Sequence, residues 1–355
     1  MNVSVEFAAP RDDEGIRGLL RRQTMPGRVR LAFCREPDFA LGCEVTGDDP
    51  RVLVARSREQ GEIVGVACRS TRDVFLNGQP RRLGYFGQLR VDERFRGRWL
   101  VSRGLAMLRQ LDREDPLPAY LASIVDGNDE AVGVLVRNRR PSFPQFHQIA
   151  DYRTLAIPVR GPKAALASGE EIVSGRAVSL DELVRFLRLE GARKQLSSVW
   201  TGEKLTILGR FGLRLDDVVV ARRHGRIAGV MALWDQSAYK QSVVRGYSGW
   251  LRALAPVLPR VGHSLRSAYA SLICIANDDR GLFDSLLRDV YNLAHVRGFE
   301  YLLVGLDVRD PLLPVAGAYR HVFYGSRLYL ASWPDGGLSH DPLDNRPAYV
   351  DIATL

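Results

Sequence analysis

The chain has 355 residues, 46% of them hydrophobic and 26% charged, which is the balance of a globular protein with apolar material for one large or two ordinary domains. No run of about 18 apolar residues is present, which excludes a transmembrane helix, and the N-terminal residues lack the basic and apolar regions of a secretory signal. The four cysteines form no CxxC pair, so we expect reduced thiols in a cytoplasmic protein, without a disulfide framework or a zinc site.

The formal charge is +9, and arginine supplies nearly all of the 50 basic residues. Such a surface is compatible with an anionic substrate, a nucleotide cofactor, nucleic acid or membrane lipid. It is equally compatible with a general bias towards arginine, because no dense block of Lys and Arg marks a tail or an arm.

The first half of the chain reads as an alternation of strands and helices. It opens with a strand at residues 3–8 and a helix through Leu19 and Leu20. Residues 52–56 and 61–67 are two apolar runs that flank a polar turn with Gly, which predicts a β-hairpin. An amphipathic helix at about residues 99–113 then precedes a strand that begins at Tyr120.

The second half repeats this order. Residues 218–222 and 225–231 predict the same hairpin, and residues 301–310 match 120–129 after a second amphipathic helix. A spacing of about 165–185 residues is too long for a solenoid and indicates a duplicated domain. We therefore predict domains at residues 1–160 and 171–335, a linker at 161–170, and a tail at 336–355 that lies on the surface or docks between the domains.

An arginine-rich turn at residues 92–98 separates a strand from the first amphipathic helix. The N-terminus of a helix presents free N–H groups and the positive end of the helix dipole. Gly97 lets the backbone approach an anion closely, and Arg94, Arg96 and Arg98 add positive charge. These features predict an anion site that a diphosphate would fit.

Residues 88–105 resemble the acyl-coenzyme A signature of GNAT acetyltransferases, in which a strand ending in Val is followed by an aromatic residue, Arg-Gly-x-Gly and a Leu-rich helix. The matching positions are Val91, Phe95, Arg96, Gly97, Leu100 and Leu105. Trp99 departs from the family pattern, because a second Gly or Ala is usual at that position. The resemblance covers residues 3–157 in order, and the second half shares it only through the repeat.

The resemblance implies an α/β (α+β) protein with two GNAT-like domains, each a mixed, mostly antiparallel sheet flanked by helices. It implies that the turn binds the pyrophosphate of the cofactor, that the preceding strand pairs with the pantetheine arm, and that an Asn after the next strand also contacts the cofactor. The implied contacts are Leu89, Arg90, Val91, Arg94, Phe95, Arg96, Gly97, Arg98, Trp99, Leu100 and Asn128. The implied co-substrate is acetyl-CoA or another acyl-CoA, and no metal is expected.

The equivalent turn of the second half is acidic. Arg280 and Gly281 align with the Arg-Gly of the first half, but Asp278 and Asp279 precede them. Each carboxylate would repel a diphosphate by about 1–4 kcal/mol, depending on solvation. We therefore predict a single cofactor site, in the first domain.

Catalysis of amide formation requires removal of a proton from the amine and stabilisation of an oxyanion. A backbone N–H near residues 89–91 can bind the oxyanion, but the usual tyrosine acid of the family is missing at residues 134–136. Asp126 and Tyr152 are the candidate catalytic side chains, and each is also compatible with a structural role. No histidine has metal-ligand spacing, and no nucleophile or nicotinamide motif is present.

The sequence thus predicts an N-acyltransferase, with acetyl-CoA as the expected donor, that transfers the acyl group directly to an amine in a ternary complex. Two alternatives stay open: a Fem-like transferase that uses aminoacyl-tRNA, and a non-catalytic protein that binds or senses acyl-CoA. The expected acceptor is a small-molecule amine. A protein or tRNA partner and a homodimer are also compatible with the sequence, and no membrane partner is expected.

Overall fold

The computed structural model describes residues 3–25, 27, 29–138, 140–166, 169–252, 258–334 and 342–355. The strands are β1 (Val3–Phe7), β2 (Val29–Cys34), β3 (Asp48–Ser57), β4 (Ile63–Leu76), β5 (Gln79–Val91), β6 (Tyr120–Val125), β7 (Gln145–Pro158), β8 (Glu171–Ser174), β9 (Val218–Arg223), β10 (Arg226–Trp234), β11 (Gln241–Tyr247), β12 (Ser264–Leu265), β13 (Ser267–Ile275), β14 (Tyr301–Asp307) and β15 (Val322–Ser332). The helices are α1 (Asp13–Arg22), α2 (Phe39–Glu44), α3 (Arg98–Glu114), α4 (Asp129–Ala131), α5 (Leu180–Gly191), α6 (Gly202–Ile207), α7 (Arg280–Val296) and α8 (Leu313–Gly317).

A twelve-stranded sheet forms the centre of the protein, in the order β1-β3-β4-β5-β6-β15-β7-β14-β13-β10-β9-β8. Among the strand pairs that the structure describes in this sheet, β5–β6 and β13–β14 are parallel and the others are antiparallel. The prediction of a mixed, mostly antiparallel sheet flanked by helices is confirmed. The hairpins predicted from the repeat are the antiparallel pairs β3–β4 and β9–β10.

The two halves of the chain exchange strands. β15, near the end of the chain, lies between β6 and β7 of the first half, and β7 in turn pairs with β14 of the second half. One hydrogen-bonded sheet therefore runs through both predicted domains. The division at residues 161–170 stays a prediction, since strands on each side of it pair with the opposite half.

A second, three-stranded sheet also joins the halves. Its order is β12-β11-β2, so the strand Val29–Cys34 of the first half pairs with Gln241–Tyr247 of the second. Helices cover the large sheet because each has an apolar face. Leu19 and Leu20 of α1 pack with Val54 and Val66 of the sheet, for example, and burial of one such side chain contributes about 1.5–3 kcal/mol. None of the described helices is long and apolar enough to cross a membrane.

Residues 342–355 lie between the two halves. Arg72 of β4 donates a hydrogen bond to the Thr354 carbonyl (2.9 Å), and Tyr152 of β7 donates one to the Val350 carbonyl (2.8 Å). The main-chain N–H of residue 348 donates to a carboxylate oxygen of Asp307 at the end of β14 (2.7 Å). The part of the predicted tail at residues 336–341 lies outside the described residues.

Candidate functional site

A β-bulge interrupts β5 just beyond its pairing with β6. Gln88 and Leu89 both lie opposite the single residue Ala67 of β4, and Gln88 has a left-handed φ of 57°. β5 and β6 pair only over Gly84–Phe86 and Tyr120–Ala122. A bulge bends a strand and increases its twist, so the ends of β5 and β6 separate beyond this point.

A cavity of about 300 Å³ lies where the two strands separate. One part of it is apolar and is lined by α3 and the neighbouring strands, with Leu100, Leu105 and Ile124 among its residues. The other part is formed by segments that are distant in sequence, including Lys240 before β11 and Leu355. Both halves of the chain therefore build the cavity, whereas the sequence placed the cofactor site in the first half and left to the second half the acceptor pocket or a dimer surface.

Five of the predicted cofactor contacts lie together around this cavity. They are Leu89, Arg90 and Val91 of β5, Leu100 of α3, and Asn128. The Asn128 side chain accepts a hydrogen bond from the N–H of Ala131 (3.1 Å) and so holds the start of α4 beside the cavity.

The N-terminus of α3 carries no side-chain cap. Its N-cap residue is Gly97, and no acidic residue lies in its first turn. The backbone of Gly97 is extended, with φ of −177°, so the glycine is not required for its conformation. Its missing side chain instead leaves the first N–H groups of a 17-residue helix without an acceptor from the N-cap side chain, and the N–H of Leu100 donates to the main-chain carbonyl of Gly97 (3.3 Å).

The predicted arginines of the turn are ion-paired within the protein. Arg94 lies 2.9 Å from Asp92, and Arg96 lies 3.1 Å from Glu130. Arg94 makes two hydrogen bonds to the mostly buried Asp92 (3.0 and 2.9 Å) and also lies 3.2 Å from Glu62. The pair of Arg96 with Glu130 is exposed at both ends and therefore weak, so an incoming phosphate can replace it. The side chain of Arg98 lies outside the described part of the structure.

The two aromatic residues of the turn have different environments. Phe95 packs against a small core cluster that contains Leu100 and Val3. Trp99 is 36% exposed, its ring lies 5.2 Å from the guanidinium of Arg103, and it does not line the cavity. The departure from the family pattern at Trp99 therefore leaves the cavity open.

Neither predicted catalytic side chain lines the cavity. Tyr152 is 1% exposed, and its hydroxyl is bonded to the carbonyls of Gly305 (3.1 Å) and Val350 (2.8 Å) and to the N–H of residue 350 (3.1 Å). Asp126 lies at the end of β6, half exposed and 3.5 Å from Arg327. The hydroxyl of Tyr152 is thus held by structural hydrogen bonds, and a catalytic role for Asp126 or Tyr152 stays a prediction.

The second half contains the same bulge, but there it is filled. Leu272 has a left-handed φ of 52°, and its N–H donates to the carboxyl group of Asp351 (3.1 Å). The N–H of Ile273 donates to the hydroxyl of Tyr349 (3.0 Å). The cavity beside this bulge has a volume of only about 10 Å³, because residues 347–352 occupy the gap between β13 and β14.

The N-terminus of the helix that follows is also capped by a side chain of the protein. Asp279 is the N-cap residue of α7, and its carboxylate accepts hydrogen bonds from the N–H groups of Gly281 (3.0 Å) and Leu282 (3.1 Å). These hydrogen bonds, first that from residue 282, lower the pKa of Asp279. Asp279 is thus the counterpart of Gly97, and the sequence alignment of Arg280 and Gly281 with Arg96 and Gly97 is wrong by two positions, because the turn before α7 is shorter. A carboxylate of the chain occupies the site that is open at α3.

No protein-family profile and no curated protein sequence matches this chain. Solved structures do match it. A glucosamine N-acetyltransferase region of a fungal multi-domain β-N-acetylglucosaminidase has a TM-score of 0.65 at 15% identity, over 93% of this chain and 38% of that one. A GCN5-related N-acetyltransferase from Sphaerobacter thermophilus has a TM-score of 0.58 at 14% identity, over 94% of this chain and 97% of that one. The chain has the GNAT fold.

A third GNAT-fold relative spans both halves as well. The N-myristoyltransferase of Saccharomyces cerevisiae with bound myristoyl-CoA has a TM-score of 0.62 at 12% identity, over 97% of this chain and 88% of that one. The predicted resemblance to the GNAT fold is confirmed. This chain spans well under half the length of the fungal multi-domain protein.

Within this GNAT fold, the structure reveals cationic residues of the cavity that sequence reasoning missed. Arg35 is only 5% exposed and lines the cavity together with Arg90 and Lys240. The ammonium group of Lys240 lies 4.8 Å from the ring of Tyr269 and donates to the carbonyl of Leu355 (3.3 Å). Burial lowers the pKa of the lysine well below its ordinary value.

No sequence signal marked these residues, because Arg35 and Lys240 belong to no motif and are separated by about half of the chain. Among the described residues, no group of three or more His, Cys, Asp or Glu side chains is arranged to hold a metal. All four cysteines are buried free thiols.

Proposed function

We propose that this protein is an acyl-CoA-dependent N-acyltransferase, whose donor lies between α3 and the separated ends of β5 and β6. The contrast between the two halves carries this proposal. The same bulge and the same helix terminus occur twice, and the copy in the second half is filled by Asp351, Tyr349 and Asp279. The copy in the first half opens into a cavity of about 300 Å³.

The diphosphate of the cofactor would bind at the N-terminus of α3. Free N–H groups and the helix dipole favour an anion there, and the glycine N-cap leaves room for it. The exposed Arg96 would exchange its present partner, Glu130, for a phosphate oxygen. The uncharged pantetheine arm and the acyl group would follow β5 past Leu89 and Val91.

The bulge would supply the oxyanion site. In the second half, a carboxyl oxygen of Asp351 accepts the N–H of Leu272 at the bulge. Gln88 is the equivalent residue of the first half. The N–H group at Gln88 would therefore bind the oxyanion of the reaction in the way that the N–H of Leu272 binds the carboxyl oxygen of Asp351. N–H groups that are already fixed in direction stabilise the developing negative charge without reorganisation.

Transfer would be direct. The nitrogen of the amine attacks the thioester carbon, the carbonyl oxygen becomes the oxyanion, and the C–S bond breaks as coenzyme A leaves with a proton. The amide forms at the expense of the thioester, so no other reactant is required. Holding donor and acceptor in one cavity supplies the proximity on which this mechanism depends.

The proposal is tested by titrating the protein with acetyl-CoA in a calorimeter and by following release of free coenzyme A with a panel of amines. We expect saturable binding and amine-dependent thiol release. Binding of acetyl-CoA without turnover on any amine would instead favour a binding or sensing protein.

A parallel titration with charged tRNA at several salt concentrations examines the aminoacyl-tRNA alternative. Phosphate contacts give a steep decrease of affinity with salt. Tight, salt-dependent binding of tRNA together with no binding of acetyl-CoA would overturn the proposal.

A further inference from the structure

We propose that the acceptor amine also carries a carboxylate, and that Arg35 binds this carboxylate inside the cavity. The inference rests on the proposed N-acyltransferase function and adds the chemical class of the acceptor: an amino acid or a similar amino-carboxylate.

Arg35 is a buried cation with an incomplete set of partners. Its side chain is 5% exposed. Within the described residues, its one hydrogen bond to the protein runs to the carbonyl of the preceding Cys34 at 3.3 Å, and no Asp or Glu lies within ion-pair distance. A guanidinium has five N–H donors, and burying a charge without an anion is strongly unfavourable.

The position of this side chain is fixed by its packing. Arg35 lies against the backbone of α2, where a Cβ atom added to Gly42 would come within 2.8 Å of the Arg35 Cδ atom. The absence of a side chain at Gly42 therefore makes room for the arginine stem. A donor fork held in place by packing is suited to bind a carboxylate through two parallel hydrogen bonds.

Arg35 differs from two other buried arginines in its surroundings, although Nε and Nη2 of Arg69 and Nε of Arg72 also lack a hydrogen-bond partner among the described residues. Arg72 donates to the carbonyl of Thr354 (2.9 Å) and its guanidinium lies 4.3 Å from the ring of Tyr85. Arg69 lies 3.6 Å from Asp115. Arg35, by contrast, lines an open cavity.

The surroundings of Arg35 are positive. Arg90 and Lys240 line the same cavity, and none of the described residues that line it is Asp or Glu. The pKa values of both neighbouring cations are lowered by burial first and by the charge of Arg35 second, while the charge of Asp351 raises that of Lys240 and offsets only part of this effect. An anion bound among these three groups would relieve this repulsion.

The placement of Arg35 favours the acceptor over the donor as the source of the carboxylate. Arg35 directly follows β2, in the three-stranded sheet, and Lys240 directly precedes β11 of the same sheet. The proposed donor groove is formed by α3 and the ends of β5 and β6. Arg35 and Lys240 thus come from elements other than those that would hold the cofactor, whereas Arg90 belongs to β5 of the donor groove.

The test compares matched acceptors with acetyl-CoA as the donor. Each amino acid is paired with its carboxamide, which keeps the amine and the side chain and removes the charge. With the wild-type protein we expect kcat/KM for the carboxylate to exceed that for the amide by about ten- to a hundredfold. Equal rates for both members of every pair would overturn the inference while leaving the N-acyltransferase proposal intact.

A variant then locates the recognition at Arg35. We expect Arg35→Met to remove the preference for the carboxylate, mainly through KM, while the affinity for acetyl-CoA and the rate with the amide stay within about threefold of wild type. Arg82→Met is the matched control, because Arg82 is an exposed arginine paired with Asp115 (2.8 Å). Loss of acetyl-CoA affinity in Arg35→Met, or an equal loss of activity in the control, would contradict the assignment.

A third comparison separates the two reactants as sources of the charge. Dicarboxylic acyl-CoA donors, such as succinyl-CoA, are tested with an acceptor that has no carboxylate. If Arg35→Met impairs only these donors, Arg35 binds the acyl group and the inference about the acceptor is wrong. If no amine is acylated with any donor, the proposed function itself fails.

Discussion

Replacement of Gly97 by Asp would give α3 the same carboxylate cap that Asp279 gives α7. The substitution is compatible with the backbone, because φ at Gly97 is −177° and the added Cβ atom would meet only the edge of the Trp99 ring, at 3.3 Å. The new carboxylate would accept hydrogen bonds from the first N–H groups of α3, as Asp279 does at 3.0 and 3.1 Å. A bound diphosphate would then lose these donors and meet a negative charge.

The magnitude follows from Coulomb's law. Two unit charges 4 Å apart repel each other by about 1 kcal/mol in water and by about 4 kcal/mol at an effective dielectric constant of 20. The helix terminus is partly exposed, so the dissociation constant for acyl-CoA should rise between about fivefold and several hundredfold. The free energy of unfolding should rise by only a few tenths of a kcal/mol, since Gly and Asp are both favourable N-cap residues.

Calorimetry with coenzyme A measures this effect, and two controls give it meaning. Gly97→Asn adds a neutral cap of the same shape and should weaken binding less than Gly97→Asp. Pantetheine, which has no diphosphate, should bind the wild type and both variants alike. Unchanged affinity for coenzyme A in the Asp variant would refute the placement of the diphosphate at α3, and equal losses in both variants would show that shape, and not charge, is responsible.

Three further substitutions test other parts of the structure. Gly104→Leu should raise the free energy of unfolding by up to about 1 kcal/mol through helix propensity, because an added Cβ atom meets no heavy atom within 4 Å. It should also weaken acyl-CoA binding, because Gly104 lines the cavity. Thermal melts and calorimetry measure the two effects, and unchanged affinity would contradict the proposed donor groove. Asp279→Ala should lower the free energy of unfolding by about 0.5–2 kcal/mol without affecting acyl-CoA binding. Hydrogen bonds lower the pKa of this carboxyl below 3.8 in the folded state, so its stabilisation is present above pH 3.8 and is lost as the pH falls through the folded-state pKa. Urea titrations of the wild type and the variant should therefore give the same free energy of unfolding in acid. Tyr152→Phe should lower the free energy of unfolding by about 1–3 kcal/mol, because it leaves the buried main-chain groups at residues 305 and 350 without their partner. We expect kcat to stay within about twofold of wild type. A large decrease of kcat in the folded variant would support a catalytic role for Tyr152.

Local features of the fold were predictable from the sequence because their determinants are contiguous. The helix predicted at residues 99–113 is α3, Arg98–Glu114, since its apolar residues recur every three or four positions. The turn before it could be recognised for the same reason: a helix terminus and its N-cap residue are adjacent in the chain. The duplicated hairpins also identified the repeat, which the structure shows as the equivalent bulges at Gln88 and Leu272.

The charge of the arginine-rich turn shows the limit of such reasoning. The sequence indicated free positive charge at Arg94 and Arg96, but each lies beside a carboxylate in the structure. One of these carboxylates, Glu130, is 34 positions away from its arginine and belongs to α4. Whether an arginine is paired with a carboxylate depends on how the elements pack, and the sequence pattern of a single segment does not predict it.

The sequence by itself determined the two hairpins, the amphipathic helices and the segment that begins α3, because these depend on interactions between near neighbours. Only the tertiary structure decided the exchange of β7 and β15, the burial of residues 348–354 between the halves, and the convergence of Arg35 and Lys240 on one cavity. These arrangements join residues up to 282 positions apart, as in the hydrogen bond from Arg72 to Thr354. Contacts at that separation are set by the closure of the whole sheet, and a pattern within one segment does not specify them.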